Sequence, residues 1–416
     1  VRTGGHLQIQ HRDFFLYGNG NPTAYGIADY QRLIDLLAHD AELQPMLVVA
    51  TPILQFGGIA GNYDAGVSRT VVGTGFVPAD VSTMRLWNEH GVQMASTRFP
   101  LEGAAPDSAV LGVGVARVLL LCEALAVKNC PSPERPQADS NAASLPGDIA
   151  ALANDLAGAP AGAAPKGRAR IELLAGQTRG APNVMALQVL AAEDQGFKEL
   201  DEVAVIVSLR QAQALVYGRG VPRATSIMVQ LQRTDQVEAA SERIRQLLPQ
   251  VAGGQHLTVM DFEALNPFYV QTIDLFDMIF GFIFALIGGI VLFTVSNTMN
   301  AAVVERTVEI GTLRAIGLRQ SGIRRLFIAE GFMLGCAGAL TGTTLALVIS
   351  GVVNHLGLTW QPPGGSETLP LTLRVWGESG MMVGTTLGLI AIGALSAWWP
   401  AWRAAGLKIV DALRHA

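Results

Sequence analysis

Cysteine is scarce in this chain, three in 416 residues, which excludes a disulfide framework as the main support of the fold. Cys122 and Cys130 are close enough in sequence for one bridge if their segment lies in an oxidising compartment, and two separate thiols are the alternative. Cys336 sits in an apolar run, where a thiol serves as a small packing residue. No GxxxxGK[ST] loop occurs, so there is no phosphate cradle of the P-loop kind. Gly73/Gly75 and Gly112/Gly114 lack the spacing of a dinucleotide site. HExxH and GxSxG are both missing. The seven histidines are scattered, and the nearest pair, His6 and His11, does not have helical metal-ligand spacing. The expectation is a chain with no catalytic set, no metal and no cofactor of its own.

Charge is also thin, 15% of residues, and it is unevenly spread. Residues 1–276 carry 20 Lys+Arg and 27 Asp+Glu, a net of −7, which leaves +2 for the remainder. An acidic front domain argues against nucleic acid as a partner.

What is present is hydrophobic length. Residues 276–299, 326–353 and 380–399 are apolar runs, each near the roughly 20 residues that a helix needs to cross a bilayer. Between the first two lies the stretch 300–327, NAAVVERTVEIGTLRAIGLRQSGIRRLF, with Arg306, Arg314, Arg319, Arg324 and Arg325 against Glu305 and Glu309. Arg403, Lys408 and Arg414 follow the third run, whereas the 354–379 connection has only Arg374 as a cation. By the positive-inside rule, residues 300–327 and the C-terminal tail are cytoplasmic and residues 1–275 are on the other side. The chain opens at Val1 without an apolar stretch, so this topology leads us to expect a further membrane helix or signal upstream.

The front part, residues 1–275, reads as an α+β extracytoplasmic domain. Residues 26–40 have helical spacing, and 46–54 and 68–76 read as strands with a glycine-rich loop between them. The Pro-, Ala- and Gly-rich stretch 131–167 reads as a flexible insertion. Beyond it, 169–176 and 183–191 read as paired strands, and 203–218 as a strand becoming a helix. An alternating strand follows at 224–232. A helix capped by Thr234 or Asp235 covers 234–250, and a last strand covers 256–262. Asp261 or Asn266 is positioned to cap the helix that enters the first apolar run.

The membrane part, residues 276–416, reads as an α-helical transmembrane bundle with three helices visible. Gly331/Gly335, Gly338/Gly342 and Gly384/Gly388 recur four apart, which permits close helix packing within a bundle or across a dimer. Glu330 reaches the interface or pairs with Arg324 or Arg325; a place on a substrate path is the alternative. Within 300–327, Val304, Val308, Ile310, Leu313 and Ile316 alternate with charges as an amphipathic helix, broken at Gly317 and restarting near Ser321. Such a helix suits docking into a groove on a soluble partner.

Residues 305–331, ERTVEIGTLRAIGLRQSGIRRLFIAEG, strongly resemble the signature of the FtsX-like permeases, the MacB-, LolC/LolE- and FtsX-type ABC transporter subunits. Residues 400–415, PAWRAAGLKIVDALRH, resemble that family's closing motif, with Gly406 where a basic residue is more usual. More loosely, residues 170–248 look like the family's periplasmic core domain. The resemblance implies a multi-pass bacterial inner-membrane protein with four crossings and a large periplasmic domain. It also implies a dimer, of identical or paralogous chains, moved as a lever by an ABC ATPase that binds ATP and Mg in its own subunit. Glu305, Arg306, Glu309, Ile310, Gly311, Leu313, Arg314 and Gly317 are then the ATPase-contact helix and its turn. A periplasmic adaptor or outer-membrane protein is a further partner it suggests, besides membrane lipid. Export or extraction of a lipophilic or peptide-like substrate is one reading. A signalling scaffold that activates an extracytoplasmic partner, such as a cell-wall hydrolase, is the other.

Overall fold

The computed structural model describes residues 4–89, 98–127, 130, 169–177, 182–251, 253–361, 369–375 and 379–406. The insertion expected at 131–167 and the tail with Lys408 and Arg414 lie outside the described residues. The chain divides at Pro267/Phe268 into two compact units.

The first unit is α+β. Its strands are β1 (Leu7–His11), β2 (Leu47–Asn62), β3 (Val67–Phe76), β4 (Ser108–Gly112), β5 (Arg170–Ala175), β6 (Asn183–Glu193), β7 (Ala204–Ser208), β8 (Ser226–Leu231) and β9 (Leu257–Asp261). The helices are α1 (Tyr30–His39), α2 (Pro78–Leu86), α3 (Val113–Val118), α4 (Leu209–Tyr217) and α5 (Val237–Val251). All strands join one sheet, in the order β3-β7-β4-β6-β5-β2-β8-β1-β9, and β3 also pairs with β2. That extra pairing closes β2, β3, β7, β4, β6 and β5 into a ring. Only β3–β7 and β4–β6 are parallel. The long β2 belongs to two neighbourhoods: residues 54–62 sit between β3 and β5, while residues 47–53 lead out to β8.

This corrects the glycine-rich loop expected after Leu54. β2 runs through Gly57, Gly58 and Gly61. A Cβ at Gly58 would lie 2.6 Å from the Leu174 carbonyl oxygen, so the glycine admits close approach of β5 where the ring closes. The chain reverses later, at Tyr63–Ala65. There Asn62 Oδ1 accepts the Ala65 N–H and Gly66 adopts φ +67°. β8 is buried along its whole length, not alternately, because Ile227, Val229 and Leu231 face the main core while Met228 packs with Ile53 and with Met84 of α2.

The core joins Leu7 and Ile9 of β1, Leu33 and Leu37 of α1, Phe56 of β2, Leu173 of β5 and Leu215 of α4. Full burial of each large apolar side chain stabilises by about 1.5–3 kcal/mol. Arg243 of α5 grips Asp40, just past the end of α1, through Nη2 at 2.8 Å and Nε at 3.1 Å, and holds its carboxyl below the usual carboxylate range. The cap of α5 also differs from expectation. Thr234–Gln236 is a 3-10 turn, and the Arg233 N–H is satisfied by Gln236 Oε1. Asp261 caps a separate short helix, Phe262–Leu265, by accepting the Ala264 N–H at 2.7 Å. Cys122 and Cys130 form a disulfide.

The second unit is helical: α6 (Pro267–Glu305), α7 (Thr307–Ala315), α8 (Gln320–Leu356) and α9 (Ser379–Gly406). Among the described residues α6, α8 and α9 are long and apolar enough to cross a membrane. At 1.5 Å per residue α6 is about 58 Å long, well beyond a hydrocarbon core of about 30 Å. Each helix therefore outruns the apolar stretch read from sequence. α8 and α9 cross at glycine. A Cβ at Gly331 would lie 2.4 Å from Ala397 Cβ, and one at Gly393 would lie 2.8 Å from Gly335 Cα. Gly331 and Gly335 thus serve packing within the bundle. Gly338, Gly342 and Gly384 face open space, and Gly388 meets only Phe284, at 3.5 Å.

Candidate functional site

The turnaround between α6 and α8 is built from three short devices. α6 ends at Glu305, and Arg306, at φ −95° and ψ 18°, is the corner from which α7 starts. The Thr307 hydroxyl donates back to the carbonyls of Val303 and Val304, at 3.0 and 2.8 Å, and satisfies the last turn of α6. α7 ends at Ala315. Gly317 then takes φ +111°, a backbone conformation that a side chain would strain, and α8 begins at Gln320.

The expected contact helix is therefore shorter than the stretch named for it. Glu305 belongs to the membrane helix and Arg306 to the corner, because the backbone breaks between them and α7. Its apolar stripe also splits. Ile310, 3% exposed, sits with Val303 of α6, Ile323 and Phe327 of α8, and Ala401, Ala404 and Ala405 of α9. Gly311 is buried beside it. Val304, Val308, Leu313 and Ile316 face outward, Ile316 at 80% exposure. One face of α7 is thus seated against all three long helices, while Glu309 and Leu313 stand on its exposed surface.

Glu330 does not pair with Arg324 or Arg325. Its carboxylate lies 3.6 Å from the Arg306 guanidinium, which ties the corner to α8. Arg314 has polar or ionic company of its own. The small residues Gly393, Ala397, Ala401 and Ala405, spaced four apart, together with Ala404, form the face of α9 that packs here, a stripe legible in the sequence but absent from the expectation. Among the described residues no group of three His, Cys, Asp or Glu could hold a metal ion.

Comparison with known proteins bears on this same region. Residues 278–409 match the model of the FtsX-like permease C-terminal domain. An uncharacterized ABC transporter permease of Methanocaldococcus jannaschii is 24% identical over 51% of this chain and 51% of its own length. The lipoprotein-releasing system transmembrane protein LolC of Xylella fastidiosa (strain Temecula1) is 25% identical over 56% of each chain. The match therefore spans about half the length of these curated relatives. The solved periplasmic region of MacB from Actinobacillus actinomycetemcomitans aligns with 66% of this chain and 95% of its own, at 13% identity and a TM-score of 0.34, too slight a likeness to bear on the fold. In its membrane part, residues 278–409, this chain is thus similar to the FtsX-like permeases.

Proposed function

We propose that this chain is the permease subunit of an ABC transporter in a bacterial inner membrane, with its first unit in the periplasm. A partner ATPase, which binds ATP and Mg, docks on the exposed face of α7, and its closure moves the periplasmic unit as a lever. The observation that carries this reading is the division of α7. Ile310 is packed among the three long helices with Gly311 buried beside it, and Glu309 and Leu313 stand outside. A helix held in this way passes a push to the bundle without yielding. The family match of residues 278–409 supports the partner's class.

The cargo is lipophilic or peptide-like, and the chain works as a dimer of identical or paralogous subunits. Support for a lipophilic cargo comes from the relative named for lipoprotein release. A further support is a mostly apolar cleft of about 530 Å³ between α8 and α9, lined by Thr343, Met381, Met382 and Leu389.

The test is co-purification of the full chain with the ABC ATPase proposed as its partner. Glu309→Lys and Leu313→Asp are each expected to cut ATPase recovery at least fivefold and to abolish transport-linked ATP hydrolysis. Full recovery and hydrolysis in both variants would overturn the proposal.

A further inference from the structure

The ends of β3 and β7 lie side by side in parallel register, Phe76 opposite Ser208. Each strand runs into a helix, α2 starting at Pro78 and α4 at Leu209. The crevice beyond the carboxyl ends of parallel strands is where α/β sheets characteristically take ligands. Here it is a cleft of about 320 Å³, closed on a third side by the loop 101–106.

Its polar lining is unusual. α4 is capped by Ser208, whose Oγ accepts the Gln211 N–H, and Gln211 Oε1 accepts both the N–H of Ser208, at 3.1 Å, and its hydroxyl, at 2.9 Å. A backbone N–H bonds only to an acceptor, so the amide oxygen must face Ser208 and the NH2 group must face away from it. That NH2 group and the hydroxyl of Ser108 belong to residues that line the cleft, only 7% and 2% exposed, and neither atom has a partner. Buried donors without partners are rare in native proteins. The N-terminus of α2, at Val77 and Pro78, forms another wall of the cleft, and no side chain caps it. Residues with unpartnered donors thus line one space from separate segments of the chain, and Val77, Pro78 and Leu101 supply apolar walls. Glu102 is the only charged residue among the described lining; its negative charge works against every anion, and against a doubly charged one twice as strongly, so the neutral donors must outweigh it.

We infer that this cleft binds a carboxylate with a short apolar tail, either a free acid or the C-terminus of a peptide. Gln211 Nε2 and Ser108 Oγ donate to the carboxylate, and the tail lies against Val77 and Leu101. The inference does not rest on the transport reading and stands or falls without it.

The test uses the full chain in lipid nanodiscs. Binding is followed by saturation-transfer NMR with isovalerate and with Ala-Ala-Val bearing a free or an amidated C-terminus. Isovalerate is expected to bind saturably. Gln211→Glu keeps an oxygen for Ser208 but presents a negative oxygen to the cleft, and it is expected to weaken binding at least tenfold. Ser108→Ala is expected to weaken it at least threefold with an unchanged melting temperature. It reads the site even if Gln211→Glu does not fold. If the free-acid peptide binds and the amide is at least tenfold weaker, a peptide terminus is the source. If isovalerate alone binds, a small acid is the source. No carboxylate binding, equal binding of the amide, or wild-type affinity in Ser108→Ala would overturn the inference.

Discussion

Arg306 and Glu330 face each other at 3.6 Å across the corner of the turnaround, although Glu330 has two arginines nearby on its own helix. Arg325 and Arg324 stand five and six residues before it, and neighbours on a helix surface are three or four apart, so neither shares its face. The pair is partly exposed, so its contribution to stability is small, under about 1 kcal/mol. Glu330→Arg alone is expected to lower the melting temperature slightly and Arg306→Glu to do the same. The charge-swapped double variant should recover what both lost. Thermal unfolding of the four proteins in one detergent checks this.

Ile310 and Leu313 separate seat from surface on α7. Ile310→Ala removes a buried side chain from the junction of the three long helices, with an expected cost of about 2–5 kcal/mol. Leu313→Ala is expected to stay within about 0.5 kcal/mol of the parent, since the residue is exposed. Denaturation of both variants, followed by helical circular dichroism, distinguishes them.

The α8–α9 crossing predicts unequal glycines. Gly331→Ala and Gly393→Ala would each place a new Cβ under 3 Å from a neighbouring atom and are expected to cost about 1–3 kcal/mol. Gly338→Ala and Gly384→Ala enter open space and are expected to be neutral within the second unit. Melting temperatures of the four variants check the order. A drop for Gly338→Ala as large as that for Gly393→Ala would contradict it.

His6 makes stability depend on pH. It is buried, with Nδ1 accepting the Leu231 N–H at 3.1 Å and its ring edge-on to Trp87, and burial holds its pKa down to about 4. Between pH 6.5 and 4 the unfolded chain therefore binds the proton and the folded chain does not. This contribution is complete above pH 6.5 and falls with acidification, by up to about 1.4 kcal/mol per pH unit. Unfolding of the full chain at pH 7 and 4.5 is expected to show the loss, and His6→Gln to lessen it.

Much of this was readable before any coordinates. The switch from strand to helix expected within 203–218 falls at Ser208, where Ser208 and Gln211 form a capping box that the expectation did not include. Apolar length alone located the three long helices. Gly57 and Gly58 misled because the same residue serves a loop and a crowded strand, and only the partner strand β5 decides between them. Ile310 and Leu313 look equivalent by spacing. Which one is buried depends on where Phe327 and Ala404 lie, and no local pattern records that. The cleft beside Ser108 was invisible, since it is assembled from three segments far apart in the chain.

The central claim is that the exposed face of α7 touches the ATPase. A photoreactive amino acid placed at position 313, with position 344 on the exposed surface of α8 as the control, tests it directly in a complex that hydrolyses ATP. The account predicts an adduct with the ATPase from 313 and none from 344. An intact, active complex that gives no adduct from 313 would contradict it.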